Sequence, residues 1–353
     1  MRADRDRRAE SGLAVVTYLG TLFPTSRVKG GVASWVDHFC SFRITQFQTQ
    51  RPQDRVKAGI AEDMNRNKTT IDAAWIRECV EDFVSRSPEN TLGLDQREQV
   101  FNKPLVGFAA GTDSLWQVYR DHIGAFYLTP EDIFLASFPE AAVSPGELTV
   151  VSWVLPSTTE TRQEQARQTR YPSERWVRTR HYGELFNNAL RRHLVAELAG
   201  AGVLSVAPVL SPFWSRSSEG SYAPCSNWSE RHAAYAAGLG TFGLCDGLIT
   251  KVGKAHRTGS VIACVKVPPS ERPYRDHHEY CLHFTHGTCG KCIVRCPVKA
   301  LNLQGHDKMR CREYTEHRMN EYLKKTFGID NYACGLCQCG VPCTDHVPGP
   351  EEG

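Results

Sequence analysis

The chain is expected to fold as an α/β (α+β) protein that ends in a cysteine-rich domain. Apolar, β-branched runs alternate with amphipathic helical stretches up to about residue 270. Nine of the fourteen cysteines then crowd between Cys281 and Cys343. No apolar run approaches the ~18 residues of a membrane helix. With 353 residues, 41% hydrophobic and 23% charged, the chain has an ordinary soluble globular composition, sized for one large or two modest domains. Its net charge of +3 is too small by itself to argue for a nucleic-acid partner.

Residues 1–60 carry few periodic signals and read as a peripheral N-terminal segment. Arg2 to Arg8 followed by Gly12 to Phe23 superficially resembles an export signal, and Arg7-Arg8 is a twin arginine. Acidic residues interrupt the basic part and the apolar part is weak, so a cytoplasmic protein without membrane association is expected. From Thr70 to Phe83, Ile71, Ala74, Trp75, Cys79, Val80 and Phe83 recur at helical spacing. Lys103 to Gly111 reads as a strand or loop entering a turn. Leu148-Thr-Val-Val-Ser-Trp-Val-Leu155, stopped by Pro156, is the strongest buried-strand candidate. Glu184 to Leu198 is an amphipathic helix with Phe186, Leu190, Leu194 and Leu198 on one face, ended by Gly200 and Gly202. Val203 to Leu210 reads as the next strand. Ser229 to Ala237 reads as a helix with Asn227 and Glu230 spaced as a capping box. Thr258 to Val267 is a further strand, stopped by Pro268-Pro269. The expected division is an α/β cofactor and substrate domain over 61–270, a cysteine-rich domain over 271–347, and a tail over 348–353.

In the cysteine-rich part, Cys289-Gly-Lys-Cys292-Ile-Val-Arg-Cys296-Pro297 is a C-x2-C-x3-C-P run, and Cys334-Gly-Leu-Cys337-Gln-Cys339-Gly-Val-Pro-Cys343 follows after a helical spacer. Thiolates on short turns can wrap a cubane iron–sulfur cluster, and a cysteine before proline typically serves the other cluster of a pair. Two clusters need eight ligands. Zinc on Cys289, Cys292, Cys334 and Cys337 is the rival, but it leaves Cys281, Cys296, Cys311 and Cys343 without a role. A disulfide framework belongs to small secreted chains. A bacterial-ferredoxin-like domain with two [4Fe–4S] clusters is therefore expected. For its first ligand, either His286 binds or Cys281 reaches in; thiolate is the usual donor, which favours Cys281.

Two further motifs have competing readings. Gly238-Leu-Gly240-Thr-Phe-Gly243 matches G-x-G-x-x-G, but it follows a helix where the dinucleotide fingerprint follows a strand. Its glycines serve either a tight turn or a close approach to something bulky. Arg162 to Arg192 holds eight arginines with interleaved aromatics. That is an RNA-contacting pattern, yet more often a helix face with its aromatics in the core.

Over roughly residues 100–345 the chain resembles the epoxyqueuosine reductase and reductive dehalogenase superfamily. The resemblance rests on Arg180-His-Tyr-Gly-Glu-Leu185, on Ser229-Glu-Arg-His-Ala-Ala-Tyr-Ala-Ala-Gly-Leu-Gly-Thr-Phe-Gly243, and on the two cysteine groups with Cys311 between them. It implies one cluster on Cys281, Cys289, Cys292 and Cys343, and a second on Cys296, Cys311, Cys334 and Cys337, with Cys339 spare. It also implies a base-off cobalamin near Gly238, Gly240 and Gly243, and a corrinoid-binding-type α/β domain. Tyr182, from its motif position, is the candidate catalytic proton donor or substrate contact. The implied activity is reduction of a small-molecule substrate by an iron–sulfur oxidoreductase, fed by an external donor such as ferredoxin or flavodoxin. A non-catalytic electron carrier and a tRNA-modifying enzyme are the alternatives. The chain departs from the family at Pro224, where epoxyqueuosine reductases are taken to carry an acidic proton donor, and in placing proline before Cys343 rather than after it.

Overall fold

The computed structural model describes residues 70–353 apart from 95–97 and 219–221, so the N-terminal segment lies outside the described residues. The described residues belong to one compact unit.

A four-stranded sheet is the frame. Its strands are β1 (Leu105–Ala110), β2 (Leu148–Pro156), β3 (Ser205–Val206) and β6 (His256–Cys264), in the order β1-β2-β6-β3, with every neighbour antiparallel. The fold is thus mixed α and β, with helices covering both faces of an antiparallel sheet. Strand β2 is central and wholly buried, which explains its continuous apolar run. On one face Val151, Trp153 and Leu155 pack with Val261 and Ala263 under α1 (Ala73–Arg86) and α5 (Glu174–Gly200). On the other, Val150 and Ile262 pack under α2 (Leu115–Ile123), α3 (Pro130–Ser137) and α6 (Glu230–Ala236). The stretch Val203–Leu210 forms only the two-residue β3 and a 3-10 turn at Pro208–Leu210, because Pro208 cannot donate to a ladder.

Helix α1 is capped by Asp72, whose carboxylate accepts the Trp75 N–H at 2.9 Å, and buries Ile76, Val80 and Val84. Helix α4 (Thr159–Ala166) precedes α5, which begins ten residues before the amphipathic stretch at Glu184, where the Ser173 hydroxyl accepts the Trp176 N–H at 3.3 Å. Its two halves meet different partners. Trp176 and Val177 pack with Tyr314, Met319, Leu323 and Cys339 of the cysteine-rich part, while Phe186, Leu190, Leu194 and Leu198 pack on the sheet. A buried polar link fixes its register: Trp153 Nε1 donates to Asn187 Oδ1 at 2.9 Å, and Asn187 Nδ2 donates to Thr258 O at 3.0 Å.

The expected capping box of α6 does not form. Asn227 is committed elsewhere, accepting the Ser215 N–H at 2.9 Å and donating to Phe213 O at 2.7 Å. Glu230 stands at the first turn and points to Arg191. Helix α6 leads into the hairpin β4 (Gly240–Phe242) and β5 (Leu248–Thr250), and the turn after it carries Gly253 and Lys254. The cysteine-rich part adds the short helices α7 (Leu282–His286), α8 (Lys291–Val294) and α9 (Lys308–Glu313). A π-turn over Tyr314–Met319 continues into α10 (Asn320–Phe327).

Candidate metal centre and adjoining cavity

The cysteines gather from separate pieces of chain. Cys281 precedes α7, Cys289 and Cys292 flank the start of α8, and Cys343 lies in the 3-10 turn Pro342–Thr344; all four line one small cavity. The approach of Cys343 depends on Gly253. Its φ is +73°, and an added Cβ there would sit 2.2 Å from Asp345 N. Only glycine fits that backbone, and it lets Lys254 N–H donate to Cys343 O at 3.0 Å.

The second set is drawn together by polar clamps. Arg295, inside the C-x2-C-x3-C run, donates through Nε to Leu336 O at 2.7 Å, and Gln165 Nε2 donates to Cys334 O at 2.7 Å. Cys296 Sγ accepts the Ala300 N–H at 3.2 Å. Burial pushes the Cys311 thiol up to about 11, helped by the neighbouring charge of Cys296. Burial likewise pushes Cys334 up to about 12, with Cys311 and Cys296 adding to it. The Cys337 thiol is held high chiefly by its hydrogen bond with Cys245 and by burial, with Cys334 adding to it.

His286 is exposed, with Nδ1 2.8 Å from Thr285 Oγ1, while Cys281 is buried against the cavity. Cys339 does not line the thiol cavity and lies in an apolar cluster that Cys334 also borders. It is fully buried with Trp176 and Tyr314, and burial pushes its thiol up to about 12.

One thiol escaped the sequence reading. Cys245, in the β4–β5 turn, sits beside Cys292 of one set and Cys337 of the other, with Lys254 Nζ 3.4 Å from its sulfur. Its only sequence signal is a cysteine two residues after Gly243, with no second cysteine at ligand spacing. Hydrogen bonds from the Cys292 and Cys337 thiols, together with the Lys254 ammonium, favour its thiolate. Lys254 is itself 3% exposed, and the surrounding sulfurs outweigh burial and hold it as the ammonium. Among the described residues, no three or more His, Cys, Asp or Glu side chains close around a single-ion site. The thiols ring a space instead, and a ring of four soft sulfur donors with a buried cation beside it suits an iron–sulfur cluster.

Above this centre lies a second cavity of about 440 Å³, and Lys254 lines both. Helix α5 contributes Glu184, Asn188 and Arg191, which share one helical face. Arg191 is 1% exposed and joins the two carboxylates of the wall, reaching Glu184 at 3.2 Å and Glu230 at 3.0 Å. Burial raises the Glu230 carboxyl above its ordinary range, against the pull of Arg191 and the Ser260 hydroxyl. Glu184 is held below that range by Arg257, Arg191 and Arg180, which overcome its burial. His256 donates from Nε2 to Leu248 O at 2.8 Å, and burial lowers its imidazole to about 4, so it is neutral.

Tyr182 is not part of this cavity. Its ring lies over Gly93 and packs on the α1–α5 core, because residue 182 points about half a turn away from Glu184 on the helix. The three glycines also turn elsewhere. A Cβ on Gly238 would meet Glu271 O at 2.3 Å, and one on Gly240 would meet Ile249 O at 2.1 Å, so protein backbone takes the space beside both. Gly243 lines the thiol cavity. Ser226, close to Pro224, borders the larger cavity, whose carboxyl groups are Glu184 and Glu230. In the arginine-rich stretch, Arg162, Arg175, Arg178, Arg180 and Arg191 are ion-paired to carboxylates of the protein. That is the pattern of a structural face.

Two of the three glycines that the resemblance places beneath a cobalamin, Gly238 and Gly240, are covered by protein backbone and form no open cradle for it.

No protein-family model matches the chain. No curated protein matches it. Among solved structures, the chain is similar to a selenomethionine-labelled epoxyqueuosine reductase at 17% identity, covering 79% of this chain and 70% of that one, with a TM-score of 0.36. An epoxyqueuosine reductase from Bacillus subtilis matches at 16% identity, with the same coverage and a TM-score of 0.36. A reductive dehalogenase, whose structure suggests a mechanism for B12-dependent dehalogenation, matches at 13% identity and a TM-score of 0.42; the match covers 69% of this chain and 30% of the dehalogenase. Each of these three solved structures is of a reductase. Identities and TM-scores this low carry neither substrate nor cofactor across.

Proposed function

We propose that the chain is an iron–sulfur oxidoreductase that holds two [4Fe–4S] clusters and delivers electrons to a small molecule in the 440 Å³ cavity. Cys281, Cys289, Cys292 and Cys343 would hold one cluster, and Cys296, Cys311, Cys334 and Cys337 the other. The observation that carries this reading is the shared wall: Lys254 lines the thiol cavity and the larger cavity together. When bound, the clusters supply single electrons from an external donor of ferredoxin or flavodoxin type.

The chain's own residues account for the rest. Lys254 offsets thiolate charge inside the protein, where an uncompensated charge is costly. Glu230 is the carboxyl placed to hold a proton at the cavity wall, since burial raises its pKa. Arg191 keeps both wall carboxylates oriented. A roomy cavity beside the thiols favours an enzyme over a bare electron carrier.

Protein purified anaerobically should contain about eight irons per chain and show a cluster signal in electron paramagnetic resonance after reduction. About one zinc per chain, with iron absent, would refute the reading.

A further inference from the structure

The cysteine-rich part carries an apolar and basic outer surface that the thiol chemistry does not use. The three most exposed large apolar side chains among the described residues are Val294 at 84%, Leu303 at 64% and Met309 at 55%. All three fall within one short stretch of chain. Val294 closes α8, which packs against the short strand Leu301–Asn302 that leads to Leu303. Met309 lies on α9, the helix that carries Cys311. Exposed apolar residues scattered singly need no explanation, but apolar residues gathered and rimmed by charge mark an interaction site.

The rim is basic. Lys291 opens α8 three residues before Val294, on the same side of that turn. Lys299 and Arg310 meet where Arg310 Nη1 donates to Lys299 O at 3.4 Å. All three side chains are exposed, and none has a carboxylate within 4 Å among the described residues; the ion pairs of this part use Lys308, Arg312 and Lys324. Asp307, the acidic residue nearest in sequence to Arg310, is spent on the cap of α9, where it accepts the Arg310 backbone N–H at 2.9 Å.

This face adjoins one thiol set and not the other. Lys299 N–H donates to Cys296 O at 3.2 Å, Ala300 N–H reaches Cys296 Sγ at 3.2 Å, and Cys296 and Cys311 are only half-buried. Cys281, Cys292 and Cys343 are buried, and the cavity they line shares Lys254 with the 440 Å³ cavity. An aliphatic centre within a cationic rim suits an acidic protein; a single-stranded RNA would ask for exposed aromatic rings on which bases stack.

We propose that the face of Lys291, Val294, Lys299, Leu303, Met309 and Arg310 docks a small acidic electron-carrier protein of flavodoxin type. Its electrons enter at the cluster of Cys296, Cys311, Cys334 and Cys337 and pass on to the inner cluster. The proposal rests on the two-cluster reading and gives the donor its place. In each transfer the carrier's anionic flavin hydroquinone gives up one electron to become the neutral semiquinone. One oxidised cluster gains that electron, and no proton moves.

Stopped-flow mixing of the anaerobic, cluster-loaded protein with flavodoxin hydroquinone tests it. The second-order rate of cluster reduction should fall at least about tenfold between about 50 mM and about 500 mM salt. Lys291→Glu and Arg310→Glu should each slow it about tenfold at low salt and flatten the salt dependence. Val294→Ser should slow it about threefold at every salt concentration. Iron content and the rate of reduction by dithionite, which needs no docking, should stay as in the unchanged protein. Flavodoxin rates that ignore both salt and the charge reversals would overturn the proposal. So would an RNA hairpin that the intact face binds and the charge-reversed face does not, or sedimentation showing the face closed by a second copy of the chain. Iron is measured on the same preparation. A chain without iron fails the cluster reading, whereas about eight irons with unaltered flavodoxin rates in the variants fails the docking proposal alone.

Discussion

The thiols divide by what surrounds each one. Cys281 faces the thiol cavity, His286 faces solvent, and Cys339 is enclosed by aromatic and aliphatic side chains. Cys281→Ser is therefore expected to lower iron from about eight to about four per chain, read by metal analysis and by loss of one paramagnetic signal. His286→Ala should change neither. Cys339→Ser should keep the iron but cost about 1–3 kcal/mol in a denaturant titration, since it buries a hydroxyl in an apolar cluster. Two histidines set the acid limit of the fold. Burial lowers His232 to about 3 and His256 to about 4. The unfolded chain, with ordinary histidines near 6.5, binds more protons between those values and 6.5, so stability falls as pH drops through that window. Each histidine contributes at most about 1.4 kcal/mol per pH unit there. Urea midpoints between pH 7 and pH 5 measure the slope, and His256→Asn should make it shallower.

At the scale of elements, α5 joins the sheet core to the cysteine-rich part and supplies one wall of the cavity. Leu194 is fully buried on its sheet face, so Leu194→Ala is expected to cost about 2–5 kcal/mol. Asn187→Leu strands the Trp153 N–H and leaves the Thr258 carbonyl only the longer bond from Arg191 Nη2 at 3.4 Å, for about 1–3 kcal/mol. Thermal melts of the two variants check both figures. The helix also shows where reading a sequence succeeds and stops. Glu184–Leu198 was legible because one partner, the sheet, imposes one apolar stripe. Residues 174–183 were not, because Trp176 and Val177 serve a second partner and blur the period. Strand β2 was legible as a run of buried residues, but its antiparallel pairing is set by strands far away in sequence. The cysteine groups announced themselves through spacing. The cavity did not, because its wall is assembled from α5, the turn near Trp214, α6 and β6, none of which carries a local pattern for it. Cys245 was hidden for the same reason, and the motif around Tyr182 does not reveal that its ring lies on the opposite side of the helix from Glu184.

For the whole molecule, the sheet has its own two apolar layers, whereas the cysteine-rich part packs on one cluster around Trp176, Tyr314, Met319 and Leu323 and, on the proposed reading, would gain cross-links from bound clusters. Removing iron by oxidation and chelation should raise amide hydrogen exchange across residues 281–343 first, with β2 and β6 keeping their protection. Uniform loss of protection would mean that the sheet and the thiol centre fold as one. A last consequence concerns Lys254. One buried ammonium stands between two compartments, and both an electron arriving on one side and an anion arriving on the other draw on its positive field. Such coupling is reciprocal: the factor by which a bound anion disfavours reduction is the factor by which reduction disfavours the anion. Were a cavity occupant anionic, reduction on the thiol side would loosen it and oxidation would tighten it, both through the field of a single side chain.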